Sequence, residues 1–168
     1  AEFVFVCISR EGRPVPVPAD VGRFMNARPS GADVQRLTVN GVSVAVDVRG
    51  AGEPAVLLVH GYASDRSMWQ HQLNHLEGFL RLAPDLRGMG QSDAPDLGYS
   101  MTTYADDLAA VLDALGIDTV VICGCSMGGY VAFEFVRRFR SRVRGLVLVD
   151  TRAEPDSADG RRQRDAQA

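Results

Sequence analysis

The chain contains no lysine: its eighteen basic residues are all arginine, against twenty-one acidic ones, for a formal charge of −3. We read the missing lysine as compositional bias of the genome. The net charge supplies no basic excess that would hold nucleic acid or an anionic membrane, and neither is expected as a partner. Cysteine is scarce and odd in number, with Cys7, Cys123 and Cys125. A disulfide framework is therefore not expected, and a reducing, cytoplasmic setting is. No apolar run approaches the roughly 20 residues of a membrane span. The start, AEFVFVCI, has Glu2 and no basic region before its apolar stretch, so it does not read as a secretory signal. Histidine is the scarcity with the sharpest consequence: His60, His71 and His75 all precede residue 76.

What is present is an ordinary globular composition, 46% hydrophobic and 23% charged over 168 residues, enough for one core. Prolines and glycines crowd residues 12–32, which read as an irregular leader or linker. VQRLTVNGVSVAVDVRG then alternates around Asn40-Gly41, a strong hairpin signal. PAVLLVHG, ending at His60 and Gly61, is too uniformly apolar for a half-exposed sheet and predicts a strand covered on both faces. DRSMWQHQLNHL predicts an amphipathic helix through Met68, Trp69, Leu73 and Leu76. GFLRLAPDLRGMGQS predicts a strand running into a glycine-punctuated loop, which Asp85 and Arg87 would hold shut by hydrogen bonds. MTTYADDLAAVLDALGI predicts a helix with Ser100 or Thr102 as N-cap and Gly116 as its stop. A last buried strand is expected over 144–150. A hairpin followed by repeated strand–helix units implies an α/β fold, a mostly parallel sheet with helices on both faces.

One stretch carries chemistry. In VVICGCSMGGYVAFEFV, a β-branched run over 119–123 breaks into Gly124-Cys125-Ser126-Met127-Gly128, and a helix is predicted over 130–140, with Val131, Phe135 and Phe139 on one face. G-x-S-x-G between strand and helix is the pattern of a nucleophile elbow: small residues let the elements approach, and the turn lifts a hydroxyl above the sheet. It also aims backbone N–H groups at whatever that hydroxyl attacks.

With these motifs in this order, the chain from about Gln35 onward resembles the α/β-hydrolase superfamily, specifically its esterase and enol-lactonase-like members. The resemblance rests on His60-Gly61-Tyr62, on Asp85-Leu86-Arg87-Gly88-Met89-Gly90-Gln91-Ser92, on the elbow, and on LVLVDTRAEPDSADG. It implies Ser126 as nucleophile and the backbone N–H groups of Tyr62 and Met127 as the oxyanion hole. It also implies an acid and then a histidine later in the chain. Asp150 is the candidate acid, its other role being to hold the loop at the strand end; no histidine follows Ser126. His60 in this family packs beneath the oxyanion loop. His71 and His75 share a helix face, but no third ligand accompanies them, so no metal and no cofactor is expected. Residues 1–18 resemble the closing strand of hotdog-fold acyl-CoA thioesterases, which implies a fusion remnant; an arbitrary leader fits equally.

The expected organisation is thus a leader or linker over 1–32, the first half of a hydrolase core over 33–153, and a polar tail over 154–168 where a lid domain would begin. The expected activity is hydrolysis of a small-molecule carboxylic ester or lactone. A non-catalytic binding module or pseudoenzyme of the same fold, and a cofactor-free perhydrolase, are the alternatives. With the core ending at a sixth strand, its edge is expected to be open, pairing with a second copy as a homodimer or with a chain supplying the missing half.

Overall fold

A computed structural model describes residues 5–8, 14–15, 33–153 and 162. In chain order the elements are β1 (Phe5–Ile8), β2 (Pro14–Val15), β3 (Asp33–Val39), β4 (Val42–Arg49), β5 (Ala55–Val59), α1 (Gln70–His75) and β6 (Arg81–Pro84). Then come α2 (Met101–Ala114), β7 (Val120–Cys125), α3 (Met127–Arg138) and β8 (Val143–Val149). All eight strands form one sheet in the order β2-β1-β8-β7-β5-β6-β4-β3. The central block β6-β5-β7-β8 is parallel, and antiparallel strands flank it on both sides.

Local chemistry accounts for most of these elements. Asn40 (φ 47°) and Gly41 (φ 78°) turn β3 into β4, with Val39 opposite Val42. Positive φ at both positions is what a tight hairpin demands, and Asn-Gly supplies it at the lowest steric cost. Ser100 caps α2 by accepting a 3.0 Å hydrogen bond from Thr103 N–H. Along the parallel strands alternate residues serve opposite layers. Leu57, Val59 and Ile122 pack with Leu108, Leu112, Val131 and Phe135 of α2 and α3. Leu58 and Cys123 pack with Trp69 and Leu73 on the other face. This is the reason β5 reads as an unbroken apolar run.

Several expectations change. Four residues, 66–69, form a 3-10 turn before a short α1, and in that tighter winding Met68 points outward, 40% exposed, while Trp69 is buried. Helix α3 begins at Met127, three residues before the predicted start, because Gly128 and Gly129 pack into it despite their poor helix propensity. Residues 1–32, expected to be irregular, contain β1 and β2. The larger correction concerns the sixth-strand edge. β1 pairs antiparallel with β8, Phe5 opposite Val149 and Ile8 opposite Leu146, so the chain's own β1 occupies the edge expected to be open for a second copy. Its four β-prone residues find an unpaired ladder and satisfy it. The polar tail 154–168 lies outside the described residues, apart from Arg162.

Chain order now places a site. From β5 the chain moves to β6 on one side, then crosses back to β7 on the other. The crevice beyond the carboxyl ends of β5 and β7 is therefore the switch point where open α/β sheets bind ligands. Gly61 and Tyr62 follow β5, and Ser126 follows β7.

Candidate active site

Ser126 occupies the turn between β7 and α3, exposed, with φ 51° and ψ −115°. Such angles are costly for a residue with a Cβ, on the order of 1–3 kcal/mol, and persist only when the surroundings over-determine them. Here they do. Ser126 N–H donates to Val149 carbonyl at 3.0 Å, and its own carbonyl accepts from Gly129 N–H at 2.9 Å and from the Thr151 hydroxyl at 2.9 Å. The glycines are sterically required. A Cβ on Gly124 would lie 2.2 Å from Gly128 carbonyl oxygen, one on Gly128 2.3 Å from Val59 carbonyl oxygen, and one on Gly129 2.5 Å from the Thr151 side chain. Among the described residues four non-glycines have positive φ: Asn40 in the hairpin, and Ala63, Ser126 and Asp150, which follow β5, β7 and β8. Backbone strain thus gathers at one end of the central strands.

The loop after β5 reaches this turn. A Cβ on Gly61 would stand 3.4 Å from Ser126 Cβ, so Tyr62, 77% exposed, begins beside the serine. Met127 is buried at the first position of α3, where a backbone N–H has no acceptor within the helix. Asp150 is exposed at the end of β8, one residue past Val149, which pairs with Cys125. Its carboxylate is felt at the Cys125 thiol, whose pKa is pushed up first by burial and then by that charge. Tyr62, Ser126, Met127 and Asp150 therefore lie at the same end of the sheet.

The histidines do not join them. His60 is fully buried; Leu86 N–H donates to its Nε2 at 2.9 Å, so Nδ1 must carry the proton, which it donates to Gly61 carbonyl at 2.8 Å. Both ring nitrogens are committed. Burial pushes its pKa below the usual value, against smaller opposing pulls from the Gly61 bond and from Asp85 and Asp65. His71 and His75 stack with ring centroids 4.3 Å apart on α1. Among the described residues no side chain hydrogen-bonds to Ser126 Oγ, and no group of three metal-ligating side chains occurs.

The loop after β6 is held as its composition suggested. Asp85 is completely buried, takes backbone N–H bonds from Arg66 and Gln91 at 2.7 Å each, and pairs with the Arg66 guanidinium. Arg87 makes a two-pronged pair with Asp107 of α2 at 2.7 and 2.8 Å, and Asn40 adds a bond to the same carboxylate at 3.0 Å. Two surface grooves, about 380 Å³ beside Asp47 and Gln70 and about 550 Å³ beside Asn40 and Asp106, do not include Ser126. Sequence reasoning missed Thr151 and Arg66: a polar residue just after a strand and an arginine in a short helix carry no pattern of their own.

A sheet with a parallel centre, a switch-point crevice and a serine on a strained strand–helix turn defines a class of α/β protein, and comparison with known proteins makes the class specific. The model of the alpha/beta hydrolase fold family matches residues 54–167, and the chain belongs to that family. A thermophilic esterase from Thermogutta terrifontis superposes with TM-score 0.71 and 41% identity, over 79% of this chain and 51% of that one. Epoxide hydrolase 2 of Siraitia grosvenorii is 40% identical over 115 residues, 66% of this chain and 36% of that protein. An N-acyl homoserine lactone degrading enzyme superposes with TM-score 0.60 and 31% identity, over 65% and 42% of the two chains. The chain thus spans between a third and about half of the length of these relatives. No helix among the described residues is long and apolar enough to cross a membrane.

Proposed function

We propose that this chain carries the nucleophile-bearing part of a hydrolase of carboxylic esters or lactones. The observation that carries the reading is Ser126: an exposed hydroxyl on a strained turn at the switch point, with three glycines admitting no Cβ around it. Its Oγ attacks the carbonyl carbon and its proton passes to a base. The carbonyl oxygen, now negative, accepts from the N–H groups of Tyr62 and Met127; the C–O bond to the alcohol then breaks as the base returns its proton to the departing oxygen. Water, passing a proton through the same base back to Ser126 Oγ, releases the acid. Backbone donors fixed in advance suit the developing charge, and one such donor is worth about 10²–10³ in turnover.

The chemistry of serine favours esters over epoxides. Attack of a hydroxyl on an epoxide carbon yields an ether, which water does not cleave under mild conditions, whereas attack on an ester yields an acyl-serine, which it does. In this reading Asp150 is the acid that orients a base, supported by its exposure at the same end of the sheet as Ser126. That base is not His60, whose ring nitrogens are both engaged. The same fact favours a second reading, a binding module that keeps the fold without turnover.

The test is release of p-nitrophenol from p-nitrophenyl acetate by the chain and by Ser126→Ala, with and without imidazole as an external base. Loss of the base costs about as much as loss of the whole triad, on the order of 10⁶. Without imidazole the two proteins should match; with it, only the unmodified chain should gain rate above the solution reaction. Equal rates throughout would favour the binding module, and fast Ser126-dependent turnover without imidazole would mean that an internal base operates.

A further inference from the structure

The peptide unit joining Ser126 to Met127 is a single plane, in which the Ser126 carbonyl and the Met127 N–H point in opposite directions. Whatever fixes the carbonyl therefore aims the N–H. The Thr151 hydroxyl donates to that carbonyl at 2.9 Å, alongside Gly129 N–H at 2.9 Å. We infer that Thr151 is a positioning residue for the Met127 N–H, holding the plane so that this N–H faces the carbonyl oxygen of a substrate bound at Ser126.

Three further observations support this. The plane needs holding, because Ser126 sits at φ 51°, ψ −115°, outside the favoured wells, where rotation about its ψ is not resisted by the residue's own preferences. Thr151 is itself fixed: Asp150 before it turns with φ 46°, and Val149 before that accepts the Ser126 N–H at 3.0 Å. The hydroxyl thus comes from the same strand end that holds the other side of the serine. Finally, Gly129 makes the approach feasible, since any Cβ there would meet Thr151 Cβ, Oγ1 and Cγ2 at 2.5–2.7 Å. A second glycine after the G-x-S-x-G pattern is what lets Thr151 in. A donor on the carbonyl also polarises the amide, making its N–H a stronger donor toward negative charge.

The inference rests on the oxyanion role proposed for Met127, and its test separates the two. In Thr151→Val the shape is kept and the hydroxyl removed; in Thr151→Ser the hydroxyl is kept. The first readout is the ¹⁵N shift of the Met127 amide, which responds to hydrogen bonding at the preceding carbonyl. It should move in Thr151→Val and return in Thr151→Ser, with Ser126 acetylation as the second readout, measured with p-nitrophenyl acetate and imidazole. Acetylation should fall about tenfold in Thr151→Val, short of the 10²–10³ for outright loss of an oxyanion donor, and recover in Thr151→Ser. An unmoved Met127 amide overturns the inference; so does a moved amide with unchanged acetylation, and so does equal loss in both variants. Absence of any Ser126-dependent acetylation in the unmodified chain would overturn the hydrolase reading instead, and the amide shift would still decide whether Thr151 holds the plane.

Discussion

Gly128→Ala sets two effects of opposite sign against each other. Gly128 is the second residue of α3, and replacing a helical glycine by alanine ordinarily stabilises by roughly 0.5–1 kcal/mol. Here the added Cβ would lie 2.3 Å from Val59 carbonyl oxygen and 2.6 Å from His60 carbonyl oxygen. Both atoms are backbone at the end of β5, and both residues are fully buried. No rotamer change relieves the clash, so α3 must separate from the strand. Overpacking a core costs about 1–3 kcal/mol, and a clash with two fixed carbonyls belongs at the top of that range. A net loss of about 2–2.5 kcal/mol follows, a large part of the roughly 5–15 kcal/mol typical of a folded domain. Trp69 is the sole tryptophan and is 4% exposed, so its emission reports unfolding directly. With a urea dependence of about 2 kcal/mol/M, the midpoint should fall by about 1–1.2 M. A midpoint unchanged or raised would refute the packing argument and leave helix propensity as the winner.

Asp107→Ala strips the buried Arg87 guanidinium of its partner and should destabilise the chain by about 3–5 kcal/mol, read from the same urea midpoints. Replacing both members by apolar residues, Arg87→Met with Asp107→Leu, should recover most of that loss; failure to recover would mean the pair does more than neutralise itself. For His60 the folded pKa is lowered, so between that value and the unfolded value near 6.5 the unfolded state binds the extra proton. Stability should therefore rise with pH across this window and decline as pH falls below about 6.5, while an NMR titration shows the His60 ring still neutral there. A ring that protonates near its ordinary pKa would contradict the burial argument.

How far these features could be read from sequence depends on whether their causes are local. The hairpin at Asn40-Gly41, the cap of α2, narrowed in sequence to Ser100 or Thr102, and the Ser126 turn each rest on backbone requirements met by neighbouring residues, and each was legible to that extent. The continuous apolar run of β5 announced two covering layers, because a strand with one wet face would alternate. The pairing of β1 with β8 was not legible: antiparallel edge pairing needs only four β-prone residues and an unoccupied ladder, and nothing in FVCI names its partner 138 or more positions away. Thr151 was missed for a related reason. Its hydrogen bond spans 25 positions and shows in sequence only as the extra glycine at 129, whose need becomes evident once Thr151 is seen against it. The outward Met68 follows from the 3-10 winding of residues 66–69, which a 3.6-residue period does not describe.

The central claim is that Ser126 accepts an acyl group. It is tested most directly by incubating the chain and Ser126→Ala with p-nitrophenyl acetate and imidazole, quenching in acid and mapping the peptides by mass spectrometry, with and without hydroxylamine. Acetylation should be found on Ser126, be absent from the alanine variant, and be removed by hydroxylamine, as an ester is. Acetyl groups confined to other residues, or identical maps from the two proteins, would contradict the account.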